Sequence, residues 1–160
     1  MQTEALKQFK NSWKFVRSMS LDFVKDAPAE HWMISPHVDY APLAKQVRHL
    51  VWVSGLFNDA LQNKKINLKN KKTCYSGDLD RKALLVALKK QDEILWGLLS
   101  KFTEAEANAY AMDFFGGTFG LYEFLNNMIQ HESMHHGMWA LYAKIGGFQC
   151  PKSWKETWEL

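Results

Sequence analysis

Cysteine is scarce in this sequence, and proline and glycine are infrequent. The 160 residues include two cysteines, four prolines and nine glycines. Cys74 and Cys150 are too far apart to form a CxxC or zinc-knuckle motif, which excludes the usual cysteine-rich metal sites. We interpret them as reduced thiols of a cytoplasmic protein. The sequence leaves open whether they pair and whether either has a role.

Long apolar runs and a large net charge are also absent. The longest apolar stretch, residues 50–57, is interrupted by Ser54 and Gly55 and is much shorter than the roughly 20 residues of a membrane-spanning helix. The N-terminal sequence MQTEALKQFK lacks the apolar core of a signal peptide, so we expect a cytoplasmic protein without a membrane partner. The net charge of +3 is too small to indicate nucleic-acid binding by itself.

A polar connection at residues 62–78 contains five lysines. Clustered lysines can bind an anion or a nucleic acid, but no aromatic side chains are interleaved with them for stacking on bases. We therefore favour a solvated loop and expect no nucleic-acid partner. This connection can extend some 55 Å, whereas a 20-residue helix is only about 30 Å long. It can cross from one end of a helical bundle to the other.

Helical periodicity is what the sequence does contain. Hydrophobic residues make up 47% of the chain, which indicates a globular protein, and the length fits one domain over residues 1–160. Apolar residues recur with helical spacing over about 3–25, 42–61, 78 or 80–102, and 118–144, and strand-like alternation is nearly absent. We predict an all-α four-helix bundle with a long crossover connection between its second and third helices.

Shorter signals mark the ends of these elements. The glycine pair at residues 116–117 precedes the fourth predicted helix, and the pair at 146–147 is expected to end it. Trp154 and Trp158 are four residues apart, which is one helical turn. They predict a C-terminal segment that folds back onto the bundle.

The most informative stretch is HESMHHG, residues 131–137, inside the fourth predicted helix. His131 and His135 are spaced i, i+4, so their Cβ atoms should lie about 5–6 Å apart on one helix face. A helical wheel puts both on the apolar face, whereas His136 points away and is expected to be peripheral. Zinc–imidazole bonds are about 2.0–2.1 Å long, so both side chains can bind one ion. The alternative is a pair of hydrogen-bonded core histidines.

His49, in the second predicted helix, is a third candidate. Trp52, Val53 and Leu56 fall on its side of the helical wheel, so we expect His49 to face inward. A lone histidine on an apolar face is more often a core residue than a ligand. The hypothesis that His49 is a ligand is stronger here because His131 and His135 also face inward. Metal sites in bundles are built from facing helices. Three histidines with an open fourth position are typical of catalytic zinc, because structural sites fill all four positions.

His49 in QVRHLVWVSGLF, the later HESMHHG and a helix ending in KIGG together resemble the DinB/YfiT-like superfamily of proposed metalloenzymes. The resemblance covers essentially the whole chain. It implies a four-helix bundle, often a homodimer, with a divalent metal ion on His49, His131 and His135: zinc or nickel first, iron or manganese as alternatives. It also implies a low-molecular-weight thiol as a cosubstrate in some members. Members often have Arg and Gln where this chain has His136 and Met138.

HESMH also satisfies the HExxH pattern of zinc metalloproteases, in which Glu132 would be the general base. The extended form HExxHxxGxxH fails, because Met138 and Leu141 occupy the positions of its glycine and third histidine. A protease is therefore not favoured. Glu132 remains the candidate for a general base or for a carboxylate that supports a metal ligand, with an outward-facing helix charge as the alternative.

Three classes of function follow. The first is a metal-dependent enzyme acting on a small-molecule substrate: a thiol transferase for electrophiles, which the resemblance favours, or a hydrolase that uses ionised metal-bound water. The second is a metal- or ligand-binding protein without turnover, and the third is a dimerisation bundle with core histidines. His31 and His37 lie in a predicted loop and are minor candidates. Trp52, Phe124 and Tyr142 are expected to wall the pocket.

Overall fold

The computed structural model describes residues 3–69, 75 and 77–160. Four long helices form the fold: α1 (Glu4–Asp26), α2 (Leu43–Asn63), α3 (Arg81–Leu99) and α5 (Leu121–Gly146), with a short α4 (Glu104–Asn108) before α5 and a short α6 (Lys152–Trp158) after it. The predicted all-α bundle is confirmed. Cys74 lies outside the described residues. Cys150 is a half-buried free thiol whose pKa is raised by burial.

Two hydrophobic clusters show how α2 and α3 are oriented. Leu50 of α2 packs in one cluster with Leu88 of α3, and Leu61 packs in the other with Leu99. The two helices therefore run parallel, and the chain must travel the length of the bundle between them. This is the predicted crossover, and α3 begins after Asp80, whose carboxylate accepts a hydrogen bond from the backbone N–H of Ala83 at 2.8 Å.

Helices α1 and α5 form the opposite pair of the bundle. Near their N-terminal ends the hydroxyl groups of Thr3 and Tyr122 lie 2.9 Å apart. Further along, the ring of Phe23 stacks on Trp139 with centroids 5.2 Å apart. Because one contact joins the starts of both helices and the other joins positions near their ends, α1 and α5 run parallel to each other. None of the helices in the described ranges combines the length and the apolar composition that a membrane-spanning helix needs.

A β-hairpin precedes α5, and the sequence analysis missed it. Strand β1 (Ala111–Phe114) pairs antiparallel with β2 (Gly117–Gly120). Phe115 and Gly116 form the two-residue turn with φ angles of 51° and 84°, the positive values that tight hairpin turns require. Strands of four residues are too short to show a clear alternation of apolar and polar residues. Gly117, which belongs to the glycine pair expected just before the fourth helix, lies in β2. The fourth long helix consequently begins at Leu121 and not near residue 118.

The C-terminal segment folds back as predicted. Helix α6 carries Trp154, which is fully buried, and its Nε1–H donates a hydrogen bond to the carbonyl oxygen of Met19 at 2.9 Å. Gly147 ends α5 with a φ of 72°, a left-handed conformation that suits glycine. This turn directs the chain across α1 and places α6 against the outer side of α1 and α5.

Candidate metal centre

Helices α2 and α5 are antiparallel neighbours with the three candidate histidines between them. On one side of the histidines, Phe57 of α2 contacts Phe124 of α5, with ring centroids 5.6 Å apart. On the other side, the Tyr142 hydroxyl donates a hydrogen bond to the carbonyl oxygen of Ala41 at 2.6 Å. Phe124 and Tyr142 are fully buried. Their predicted role as pocket walls is therefore wrong, because they hold the two helices together.

The structure brings His49, His131 and His135 together. One ring nitrogen from each histidine lies within 4.8 Å of the other two. The ring centroids of His131 and His135 are 4.8 Å apart, as expected of side chains one helical turn apart, and both face His49 across the interface at 5.5 and 5.3 Å. With zinc–nitrogen bonds of about 2.0–2.1 Å, two nitrogens that share one ion lie at most about 4.2 Å apart, so the rings would need to approach by only about 0.6 Å to bind one ion together.

His135 provides the strongest test of whether a metal fits. Its side chain is only 3% exposed, and neither ring nitrogen has a hydrogen-bond partner among the described residues. A buried polar group left without a partner costs about 1–3 kcal/mol. Binding of a metal ion to one of these nitrogens would remove part of that cost. The donor set of neutral imidazoles suits zinc, nickel and iron.

The three histidines differ in exposure. His135 is buried, His131 is half-buried and His49 is exposed, so the centre opens on the α2 side. His49 turns towards α5, as predicted, but its side chain is exposed and not buried. The buried stripe of α2 passes through Leu50, and consecutive helical residues are about 100° apart. His49 consequently lies at the edge of the packed face, where Trp52 stacks on its ring with centroids 5.7 Å apart.

Burial keeps these imidazoles neutral. Desolvation, with a smaller contribution from the neighbouring histidines, lowers the pKa of His131 to about 4 and that of His135 to about 3. Desolvation also lowers the pKa of His49. A neutral imidazole has a free electron pair for a metal ion, whereas a protonated one has none. At neutral pH all three side chains are therefore competent ligands.

Glu132 lies between the two α5 ligands in sequence but outside their cluster in space. Its side chain is 2% exposed and turned towards α1, where Arg17 Nη1–H donates a hydrogen bond to its carboxylate at 2.9 Å and the Ser20 hydroxyl donates another. Burial raises the pKa of Glu132, and Arg17 and Ser20 oppose that shift. The alternative of an outward-facing charge is wrong.

Arg17 is the centre of a buried polar network that the sequence analysis missed. Besides Glu132, its guanidinium donates hydrogen bonds to Asp92 of α3 at 3.2 Å and to Ser54 of α2 at 2.9 Å. Arg17 thus links all four long helices. A signal was present in the sequence, since Arg17 follows Trp13 by four residues and so shares the apolar face of the first helix.

His136 lies outside the histidine cluster, as predicted, but it is buried and does not point to the surface. Its Nε2 lies 2.7 Å from the Ser20 hydroxyl, and its ring centroid is 5.1 Å from that of Trp154. Helix α6 covers this side of α5, which a helical wheel of α5 alone does not show. His31 stacks on Phe148, and His37 is exposed beside Asp39. Neither of these loop histidines joins the cluster.

A cavity of about 360 Å³ borders the exposed ligand His49. Trp52 lies on its wall, as predicted. Lys45, Arg48 and Tyr75 also line it. The cavity gives a small molecule a route to the open side of the histidine cluster.

Comparisons with known proteins agree with this architecture. The model of the DinB superfamily matches residues 12–139, a segment that contains all three histidines. A DinB-like protein from Bacillus cereus ATCC 10987 shares the fold with a TM-score of 0.75 and 17% identity over 91% of this chain and 95% of its own. A DinB-like protein from Bacillus subtilis has a TM-score of 0.69 and 18% identity over 90% and 94%. No curated protein matches significantly.

Proposed function

Since this chain belongs to the DinB superfamily, we propose that it is a metal-dependent enzyme whose divalent ion is held by His49, His131 and His135. The observation that carries the proposal is the approach of three ring nitrogens to within 4.8 Å of one another, with both nitrogens of the buried His135 lacking any other described partner. Zinc and nickel are the first choices, and iron and manganese are the alternatives.

The reaction that we propose is transfer of a small thiol to an electrophilic small molecule. A bound divalent ion would supply a position at which a thiol loses its proton and becomes a good nucleophile. His49 is exposed beside the 360 Å³ cavity, so the chain leaves this side open to two small reactants. A small-molecule hydrolase would benefit from a general base near the ion. The carboxylate of Glu132 is instead occupied by Arg17 and Ser20, which favours thiol transfer.

We propose that Glu132 is a positioning residue and not the general base. It directly follows His131 in α5, and its ion pair with Arg17 fixes this turn of α5 against α1. Both partners are almost fully buried, so the position of the helix is held from the core side. As a result, the two proposed ligands on α5, His131 and His135, are held with their side chains facing α2.

Metal analysis of protein purified without an affinity tag tests the first part of the proposal. We expect about one divalent ion per chain, lost in His49→Ala and retained in His37→Ala, an exposed histidine outside the cluster. Absence of metal from the wild type after incubation with zinc or nickel would identify the histidines as core residues of a non-catalytic bundle. A turnover screen with thiols and electrophiles then tests the enzyme. Metal binding without any turnover would leave a metal-binding protein.

The homodimer that the family resemblance implies remains a proposal. The chain has a mass of 18.6 kDa. Light scattering on the purified protein should give twice this value. A single-chain mass at all concentrations would contradict the dimer without affecting the metal centre, because all three proposed ligands come from one chain.

A further inference from the structure

The cavity beside His49 has a positive wall. Lys45 and Arg48 line it together with His49 itself, and no carboxylate is among the described residues that line it. Within residues 3–69, 75 and 77–160, neither cation forms a salt bridge. Two cations with no anionic partner in the described part of the chain therefore border the open side of the histidine cluster.

Helix geometry explains why these groups share one cavity. Lys45 precedes His49 by four residues, and Trp52 follows it by three, so the three side chains lie on one face of α2. Arg48 lies at the edge of the same face, four residues before Trp52. A molecule in the cavity therefore meets two cations, an aromatic ring and a proposed metal ligand. The volume of about 360 Å³ is that of a small-molecule site.

We infer that this cavity binds the carboxylate of a small acidic thiol, with Arg48 and Lys45 as its partners. The inference rests on the proposed function, because it assigns the other end of the thiol to the histidine cluster. The planar guanidinium of Arg48 can donate two parallel hydrogen bonds to a carboxylate, and Lys45 adds a second positive charge. The enzyme would thus select its thiol by charge, and a neutral thiol would lack this contact.

Two thiols that differ by one carboxylate test the inference. N-acetylcysteine carries the group, and N-acetylcysteamine lacks it. NMR titration of the zinc-loaded, nitrogen-15-labelled protein measures both affinities, even when they are weak, and the amides of residues 45–52 should report the binding. We expect the acidic thiol to bind about tenfold more tightly, which corresponds to about 1.4 kcal/mol.

Variants locate the source of this preference. In Lys45→Gln/Arg48→Gln the two thiols should bind with affinities within about twofold of each other. Lys89→Gln/Lys90→Gln removes the same net charge from an exposed part of α3 and should keep the preference. Zinc analysis of every sample reports the metal site separately from the cavity.

The outcomes distinguish this inference from the proposed function. Equal affinities in the wild type, a preference that survives in Lys45→Gln/Arg48→Gln, or binding of neither thiol would overturn the inference while zinc uptake leaves the metal site standing. A wild-type protein that takes up no zinc would overturn the proposed function and the inference with it. A carboxylate preference that disappears only in Lys45→Gln/Arg48→Gln would support the inference.

Discussion

The buried ion pair between Arg17 and Glu132 allows the most demanding prediction. In Arg17→Met the carboxylate of Glu132, 2% exposed, loses a hydrogen bond of 2.9 Å and keeps only the Ser20 hydroxyl. Asp92 loses its hydrogen bond from Arg17 as well and keeps the one from Trp13 Nε1–H. Removal of one partner of a buried pair costs about 3–5 kcal/mol, because a charge remains without compensation. Natural domains have only about 5–15 kcal/mol of stability, so a large fraction would be lost.

Urea unfolding of the metal-free protein measures this cost, and chelation ensures that a change in metal affinity does not contribute. In thermal unfolding, a loss of about 3–5 kcal/mol should lower the Tm of a chain of this size by roughly 6–20 °C. Lys14→Met is the matched control, because Lys14 is an exposed cation on the same helix, and surface substitutions usually change stability by less than about 0.5 kcal/mol.

A double-mutant cycle separates the ion pair from the general loss of packing. In Arg17→Met/Glu132→Gln the orphaned charge is absent, so the double variant should be more stable than the sum of the single effects by about 0.5–3 kcal/mol. A cost below about 1 kcal/mol for Arg17→Met, or strict additivity, would refute the reasoning that this network holds α5 in place.

Three further predictions follow from the site and the hairpin. The lowered pKa values of His131, His135 and His136, about 4, about 3 and about 4, mean that these three side chains bind more protons in the unfolded chain than in the folded one below about pH 6.5. The free energy of unfolding of the metal-free protein should therefore fall as the pH decreases from about 6.5 to about 3–4. It should fall less in His135→Gln, and an equal fall in both would contradict this assignment. Zinc at 100 times its dissociation constant should stabilise the wild type and His37→Ala by about 2.7 kcal/mol in thermal unfolding. His135→Ala should show almost no such gain, and a full gain would exclude His135 as a ligand. Gly116→Ala should cost about 1 kcal/mol, because Gly116 has a φ of 84° although an added Cβ would meet no atom within 4 Å. Gly97→Ala in helix α3, equally free of contacts, should be neutral or stabilising, and similar costs for both would contradict the argument from backbone conformation.

The sequence was sufficient for the bundle because its helices are long and their apolar stripes are clear. The stripe through Leu6, Phe9 and Trp13 is buried as expected. The lysine-rich connection at residues 62–78 is long enough to join two parallel helices, and its length follows directly from the sequence. The pair His131 and His135 was found for the same reason, since the i, i+4 spacing fixes their relation within one helix.

The wrong or missing predictions concern residues whose burial and partners depend on other helices. The burial of His49 was overestimated because Trp52 and Leu56 are apolar, yet only the path of α5 determines how much of that face is covered. His136 was placed outside because α6 was not part of its helical wheel. Arg17 was overlooked because its partners lie on three other helices, at sequence separations of 37 to 115 residues.

The most direct test of the metal centre is anomalous diffraction from crystals of the zinc-loaded protein. We predict a single strong anomalous peak between α2 and α5, at about 2.0–2.1 Å from one ring nitrogen of each of His49, His131 and His135. A peak bound by other residues, or by only two of the three histidines with the ring of His49 turned away, would contradict the account.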